Sequence, residues 1–225
     1  MNTSHLLFSK KAGYSDYMKK KDLIITGPKS QKKVFLFAHG AGAPMDSDWM
    51  NDVADALARE GIKTARFEFP YMAERRETGK KRPPNPQRIL LETWNEVLDL
   101  FHDHEVYIGG KSMGARMASL IADQSTVKGL ICLGFPFYAP GKFDPLDPKG
   151  RVAHLAKLKT KTLIFQGERD SMGDKENIPQ FALSKKVKVH WLADGDHSLK
   201  PRKKSGYSLE EHIAHVAKEI SKFMK

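Results

Sequence analysis

From Val34 onward, short apolar runs alternate with longer amphipathic stretches. Val34-Phe35-Leu36-Phe37-Ala38 is unbroken and reads as a buried central strand. Met50, Val53, Leu57 and Ala58 follow at helical spacing, with Ser47 or Asp46 placed to cap the helix. Lys63 to Phe69 reads as the next strand. Pro70 to Pro86 is rich in charge, glycine and proline and reads as a long loop. Ile89, Leu90, Trp94, Val97, Leu98 and Phe101 then share one helical face. Val106 to Gly109 is a short strand, Met113 to Ala122 a helix, Val127 to Leu133 a strand, and Phe135 to Gly150 a proline-rich loop. Thr162 to Gln166 is another strand. Lys186 to Leu192 alternates, with Val187, Val189 and Trp191 on its covered side and His190 facing outward. The last helix opens on a capping box, Ser208 to Glu211, and carries Leu209, Ile213, Val216, Ile220 and Phe223 every three or four positions. Asp22 to Thr26 reads as an edge strand.

This β-α-β-α order predicts a mostly parallel sheet with helices on both faces. The 225 residues show no repeat and no interdomain linker, which fits a single domain over 1–225. Composition changes little. The longest apolar run, Leu130 to Ala139, is broken by Gly134 and Pro136, well short of the roughly 18 residues that span a bilayer. Leu6-Leu7-Phe8 is too short for a signal-peptide core, so a cytoplasmic location is expected and no membrane association. The single cysteine, Cys132, excludes an intramolecular disulfide and a cysteine-rich zinc site, and reads as a small buried hydrophobe. The net charge of +11 is spread over Lys19 to Lys21, Arg75 to Arg82, Lys185 to Lys188 and Lys200 to Lys204. Without finger spacing or an RNA-recognition signature, nucleic acid is not the expected partner.

Gly110-Lys111-Ser112-Met113-Gly114 is a G-x-S-x-G motif, weak alone but set directly between a strand and a helix. The bland alternative is a glycine-rich turn without chemistry. The functional reading is a nucleophile elbow: Ser112 on a strained turn, glycines where a side chain would strike backbone, and a helix N-terminus aimed at a developing oxyanion. A second oxyanion donor is needed from the loop after the first central strand, His39-Gly40-Ala41-Gly42. The amides of Ala41 and Met113 are the candidates, with His39 orienting the loop. A serine needs a base, and the base an orienting carboxylate. Asp170, just past the strand Thr162 to Gln166, is better placed than Asp174, Glu168 or Asp144. His197, just past Leu192, is better placed than His190, His154, His212 or His215. All these pieces fall at the C-terminal edge of one sheet, where open α/β sheets bind ligands.

The chain resembles the α/β-hydrolase family. More narrowly it is similar to the small branch named for testis-expressed protein thirty, with a related domain in a subunit of a chromatin acetyltransferase complex. The carriers are His39 to Ala43, Phe69 to Met72, Gly110 to Arg116, Gly134 to Phe137, Pro140 to Lys142, Gln166 to Asp170 and Asp196 to Arg202. The resemblance implies Ser112, Asp170 and His197 as a catalytic triad and an α/β-hydrolase fold with little or no cap. It implies no substrate. One departure is Ala115, where the resemblance leads one to expect glycine.

The expected activity is hydrolysis of an ester-like small molecule through an acyl-enzyme, with no metal and no organic cofactor. The basic stretch after Tyr71 and the lysines after His197 suggest a positive rim, with Gly42, Tyr71, Arg75, Arg76 and Lys200 contacting a substrate of anionic character. The alternative is a hydrolase fold used as a non-catalytic protein-interaction scaffold. Oligomeric state is not readable.

Overall fold

The computed structural model describes residues 18–147 and 150–225; Leu6 to Phe8 lie outside them. Seven strands form one sheet: β1 (Ile24–Thr26), β2 (Lys33–Ala38), β3 (Lys63–Phe67), β4 (Glu105–Lys111), β5 (Gly129–Leu133), β6 (Thr162–Gly167) and β7 (Val187–Leu192). Their order across the sheet is β1-β3-β2-β4-β5-β6-β7. Only β1 runs antiparallel, pairing Ile25 with Ala65 of β3. The helices are α1 (Asp48–Arg59), α2 (Pro70–Thr78), α3 (Gln87–Asp99), α4 (Met113–Ile121) and α5 (Leu209–Phe223). This is the α/β-hydrolase fold.

The unbroken apolar runs became central strands because both of their faces are covered. On one face Val34, Leu36, Ile108 and Cys132 join Trp94 and Val97 of α3 and Ala118 of α4. On the other Phe35, Phe37, Ile131 and Phe165 meet Val53 and Leu57 of α1 and Ile213, Val216 and Ile220 of α5. Each fully buried aliphatic of α5 contributes about 1.5–3 kcal/mol, so packing of this stripe outweighs helix propensity in holding it. Its capping box forms as read: Ser208 Oγ accepts from the Glu211 N–H at 3.1 Å, and a Glu211 carboxylate oxygen accepts from the Ser208 N–H at 2.7 Å. Ala115 is fully buried in the first core. Cys132 is buried too, and burial pushes its thiol pKa up.

Three expectations are corrected. Pro70 to Pro86 is not all loop, since α2 occupies its first half. Pro70 takes the first helical turn, where its missing N–H costs nothing, and Gly79 ends the helix in the left-handed region at φ 71°. Ser47 holds the N-cap position of α1, but its side chain makes no capping bond, and Asp46 is turned to Arg76. His190 is not a surface residue: it is half-buried, its ring 5.4 Å from that of Phe165. Beyond it β7 has no further strand neighbour among the described residues.

Candidate active site

Ser112 stands between β4 and α4 with φ 50° and ψ −113°, a conformation that a residue bearing a Cβ adopts only when the surroundings force it. The flanking glycines explain how. A Cβ at Gly110 would lie 2.4 Å from the Ala38 carbonyl oxygen, and one at Gly114 would lie 2.6 Å from that of His39. The elbow is thus pressed against the end of β2, next to the Ala41 loop.

The structure brings Ser112, His197 and Asp170 together. Ser112 Oγ is 2.9 Å from His197 Nε2. His197 Nδ1 is 2.8 and 3.0 Å from the two Asp170 oxygens. Asp170 is fully buried. Its Oδ1 also accepts from the Met172 N–H at 2.8 Å and its Oδ2 from Gln166 Nε2 at 2.7 Å. A buried carboxylate so supplied with donors accepts the imidazole N–H at Nδ1 and leaves Nε2 as the acceptor facing serine. The rival carboxylates are engaged elsewhere: Asp174 with Tyr138 and Asn177, Glu168 with Lys175.

The amides of Ala41 and Met113 carry no hydrogen bond to any described residue. His39 lies beside them, fully buried. The Phe69 N–H donates to its Nε2 at 3.1 Å, which places the proton on Nδ1, 2.7 Å from the Gly40 carbonyl. Burial lowers its pKa, so the ring stays neutral and braces the loop.

The proposed rim is arranged differently from the expectation. The Tyr71 hydroxyl donates to the Ala41 carbonyl at 2.9 Å, and Arg75 Nη1 donates to the Gly42 carbonyl at 3.2 Å. Both brace the Ala41 loop from behind. Burial, aided by Glu68, raises the Tyr71 pKa. Arg76 is not a free cation: it binds Glu68 and Asp46, each at 2.7 Å, and those hydrogen bonds raise its pKa. Arg82 pairs with Glu74 at 2.7 Å. Lys200 is exposed.

Four side chains support the site in ways that went unread in the sequence. Lys111 ends β4 and donates through Nζ to the His197 carbonyl, with the Trp49 ring centroid 5.6 Å from that nitrogen. Burial, opposed by Asp170 and Asp196, lowers its pKa to about 8. Trp49 Nε1 donates to the Ser198 carbonyl at 2.9 Å, and His212 Nδ1 to that of Leu199 at 2.7 Å. The His197 loop is therefore gripped at three successive carbonyls. Gln166 is fully buried and spans the Phe135 backbone, the Gly173 carbonyl and Asp170. The available signals were faint: a lysine and a glutamine at the ends of otherwise apolar strands.

A sequence model of the alpha/beta hydrolase domain matches residues 31–225. No curated protein matches the sequence. The fold is similar to that of an alpha-beta serine hydrolase homologue from Coxiella burnetii (TM-score 0.66, 21% identity, 88% of this chain and 90% of that one). It is also similar to dienelactone hydrolase from Anabaena variabilis (TM-score 0.65, 19% identity, 89% of each chain). A third similar structure is Est1E from Butyrivibrio proteoclasticus with ferulic acid bound (TM-score 0.64, 17% identity, 90% of this chain and 94% of that one).

Proposed function

The chain belongs to the alpha/beta hydrolase family, and on that premise we propose that it is a serine hydrolase cleaving carboxylic esters or thioesters of small molecules. The observation that carries this reading is the unbroken hydrogen-bonded line from Ser112 Oγ through His197 to the buried Asp170. In the proposed cycle His197 Nε2 takes the Ser112 proton as Oγ attacks the substrate carbonyl. Asp170 holds the imidazole and stabilises its charged form. The Ala41 and Met113 amides receive the oxyanion, each such donor being worth roughly 2.7–4 kcal/mol. His197 then gives its proton to the leaving group, and water, deprotonated by the same imidazole, releases the acyl group from Ser112.

A non-catalytic scaffold leaves both the strained Ser112 backbone and the aligned triad without a purpose. On the motif runs alone we also propose membership of the small branch that includes testis-expressed protein thirty. The buried, lone Cys132 is compatible with a cytoplasmic location. The deciding experiment is labelling by a fluorophosphonate probe. Wild type should label and Ser112→Ala should not; a folded wild type that stays unlabelled overturns the enzyme reading. Short- and long-chain p-nitrophenyl esters and thioesters then set the acyl preference.

A further inference from the structure

Gln166 is the last residue but one of β6 and is fully buried. At such a position an amide is unfavourable unless each of its groups is bonded. Here each is. The Phe135 N–H donates to Oε1 at 2.8 Å. Nε2 donates to Asp170 Oδ2 at 2.7 Å, to the Gly173 carbonyl at 3.0 Å and, longest, to the Phe135 carbonyl at 3.2 Å. These partners leave one orientation of the amide. A backbone N–H only donates, so oxygen faces the Phe135 nitrogen. A carboxylate and a carbonyl only accept, so nitrogen faces Asp170 and Gly173. The close approach to Gly173 needs a residue without a side chain: a Cβ there would lie 3.0 Å from Nε2 and 2.8 Å from a Phe137 ring carbon.

The bond to Asp170 differs in kind from the others around that carboxylate. Asp170 is fully buried, so protein donors replace water around its charge. Oδ1 accepts from the Met172 N–H at 2.8 Å, but Met172 belongs to the same turn and moves with it. Gln166 belongs to the sheet. Its other end is fixed on Phe135, in the turn that leaves β5 beside the elbow. There the Ser112 N–H donates to the Leu133 carbonyl at 3.0 Å and the Gly134 N–H to the Phe165 carbonyl at 2.8 Å. One amide thus joins the turn next to the nucleophile to the turn that carries the acid. A carboxylate held at one oxygen can still rotate about its Cβ–Cγ bond. Held at both, it presents a fixed plane to His197 Nδ1, which lies 3.0 and 2.8 Å from the two oxygens.

We propose that Gln166 is a positioning residue for the reaction: its amide sets the plane of the Asp170 carboxylate and, through it, the direction in which His197 Nε2 meets Ser112. The inference rests on the hydrolase reading. Gln166 itself touches no reacting atom.

The test places Gln166→Met, which keeps the length and loses the hydrogen bonds, in two backgrounds, wild type and Asp170→Asn. The readouts are the rate of Ser112 labelling by a fluorophosphonate per folded molecule, and kcat and KM on p-nitrophenyl acetate. With Asp170 present, labelling rate and kcat should fall about tenfold or more, the scale of a lost hydrogen bond to a charged group, with KM within about twofold. Asp170→Asn costs far more by itself. In that background the same change should cost no more than about twofold further, because residues acting as a unit are not additive. A residue that only held the turns together would lower the urea midpoint and leave the rate per folded molecule untouched, or cost the same in both backgrounds. Either result overturns the inference. Gln166→Asn, which keeps an amide but withdraws it from Asp170, carries the same test if the methionine variant fails to fold. A wild type that is never labelled sinks the hydrolase reading and this inference with it. A labelled wild type whose Gln166 variants label as fast sinks this inference alone.

Discussion

Two basic regions flank the candidate site, one on and after α2 against the Ala41 loop and one at Arg116 on the helix that follows Ser112, and they differ in how their charges are held. On α2 Arg75 holds a carbonyl and Arg76 holds two carboxylates, and just beyond the helix Arg82 holds Glu74. Arg116, by contrast, has a buried Nε with no hydrogen-bond partner and forms no ion pair among the described residues. By count of cations the stretch Arg75 to Arg82 is the richer, yet two of its arginines, Arg76 and Arg82, are paired with carboxylates within the protein. Positive charge marks a binding surface only where the fold leaves it uncompensated.

Substitutions on the two sides, with Lys111 as a fully engaged cation beside the same serine, can break or sharpen this contrast. Lys111→Met has the largest expected effect. It leaves the His197 carbonyl without its buried donor, a loss of roughly 1–3 kcal/mol, so kcat on a neutral ester should fall about 10–100-fold with KM little changed. It should also flatten a pH dependence. Burial holds the folded-state Lys111 at about 8 against an ordinary 10.5. Between those values the unfolded chain keeps a proton that the folded chain has released, so wild-type stability rises with pH. Urea midpoints at pH 7 and pH 9.5 should rise in wild type and rise less in the variant.

Arg76→Met should act on stability and not on selectivity. It strands Glu68, whose side chain is 5% exposed, but Arg76 itself is 45% exposed. The cost should therefore be about 1–2 kcal/mol, below that of a fully buried pair, read from the urea midpoint. The ratio of anionic to neutral ester turnover should not move. Arg82→Ala should do least, within about 0.5 kcal/mol and again without a change in that ratio. A drop in the ratio at Arg76→Met or Arg82→Ala as large as that in Arg116→Met would erase the distinction between the two regions.

Most of the fold was legible because buried parallel strands write themselves as unbroken apolar runs and helices as stripes. Ser112, Asp170 and His197 could be placed because each follows a strand end, and strand ends define one edge. What stayed hidden was side-chain direction. Pro70 looked like a breaker but sits where proline suits a helix. Arg75 and Arg76 were visible as charges, whereas their partners, the Gly42 carbonyl, Asp46 and Glu68, lie up to 33 residues away in sequence. Lys111 grips a carbonyl 86 residues distant, a contact no local pattern encodes.

The outer side of β7, without a strand neighbour among the described residues, has a consequence for how copies of the protein meet. A strand with an unpaired flank offers its backbone to any other strand, the first step towards sheet-to-sheet aggregation. Here Lys188 of β7 is exposed, as are Lys185 and Lys186 just before the strand. Two molecules approaching edge to edge bring like charges together before their backbones can bond. The cluster at Lys185 to Lys188 thus places like charge where two sheets would have to join, which opposes edge-to-edge pairing.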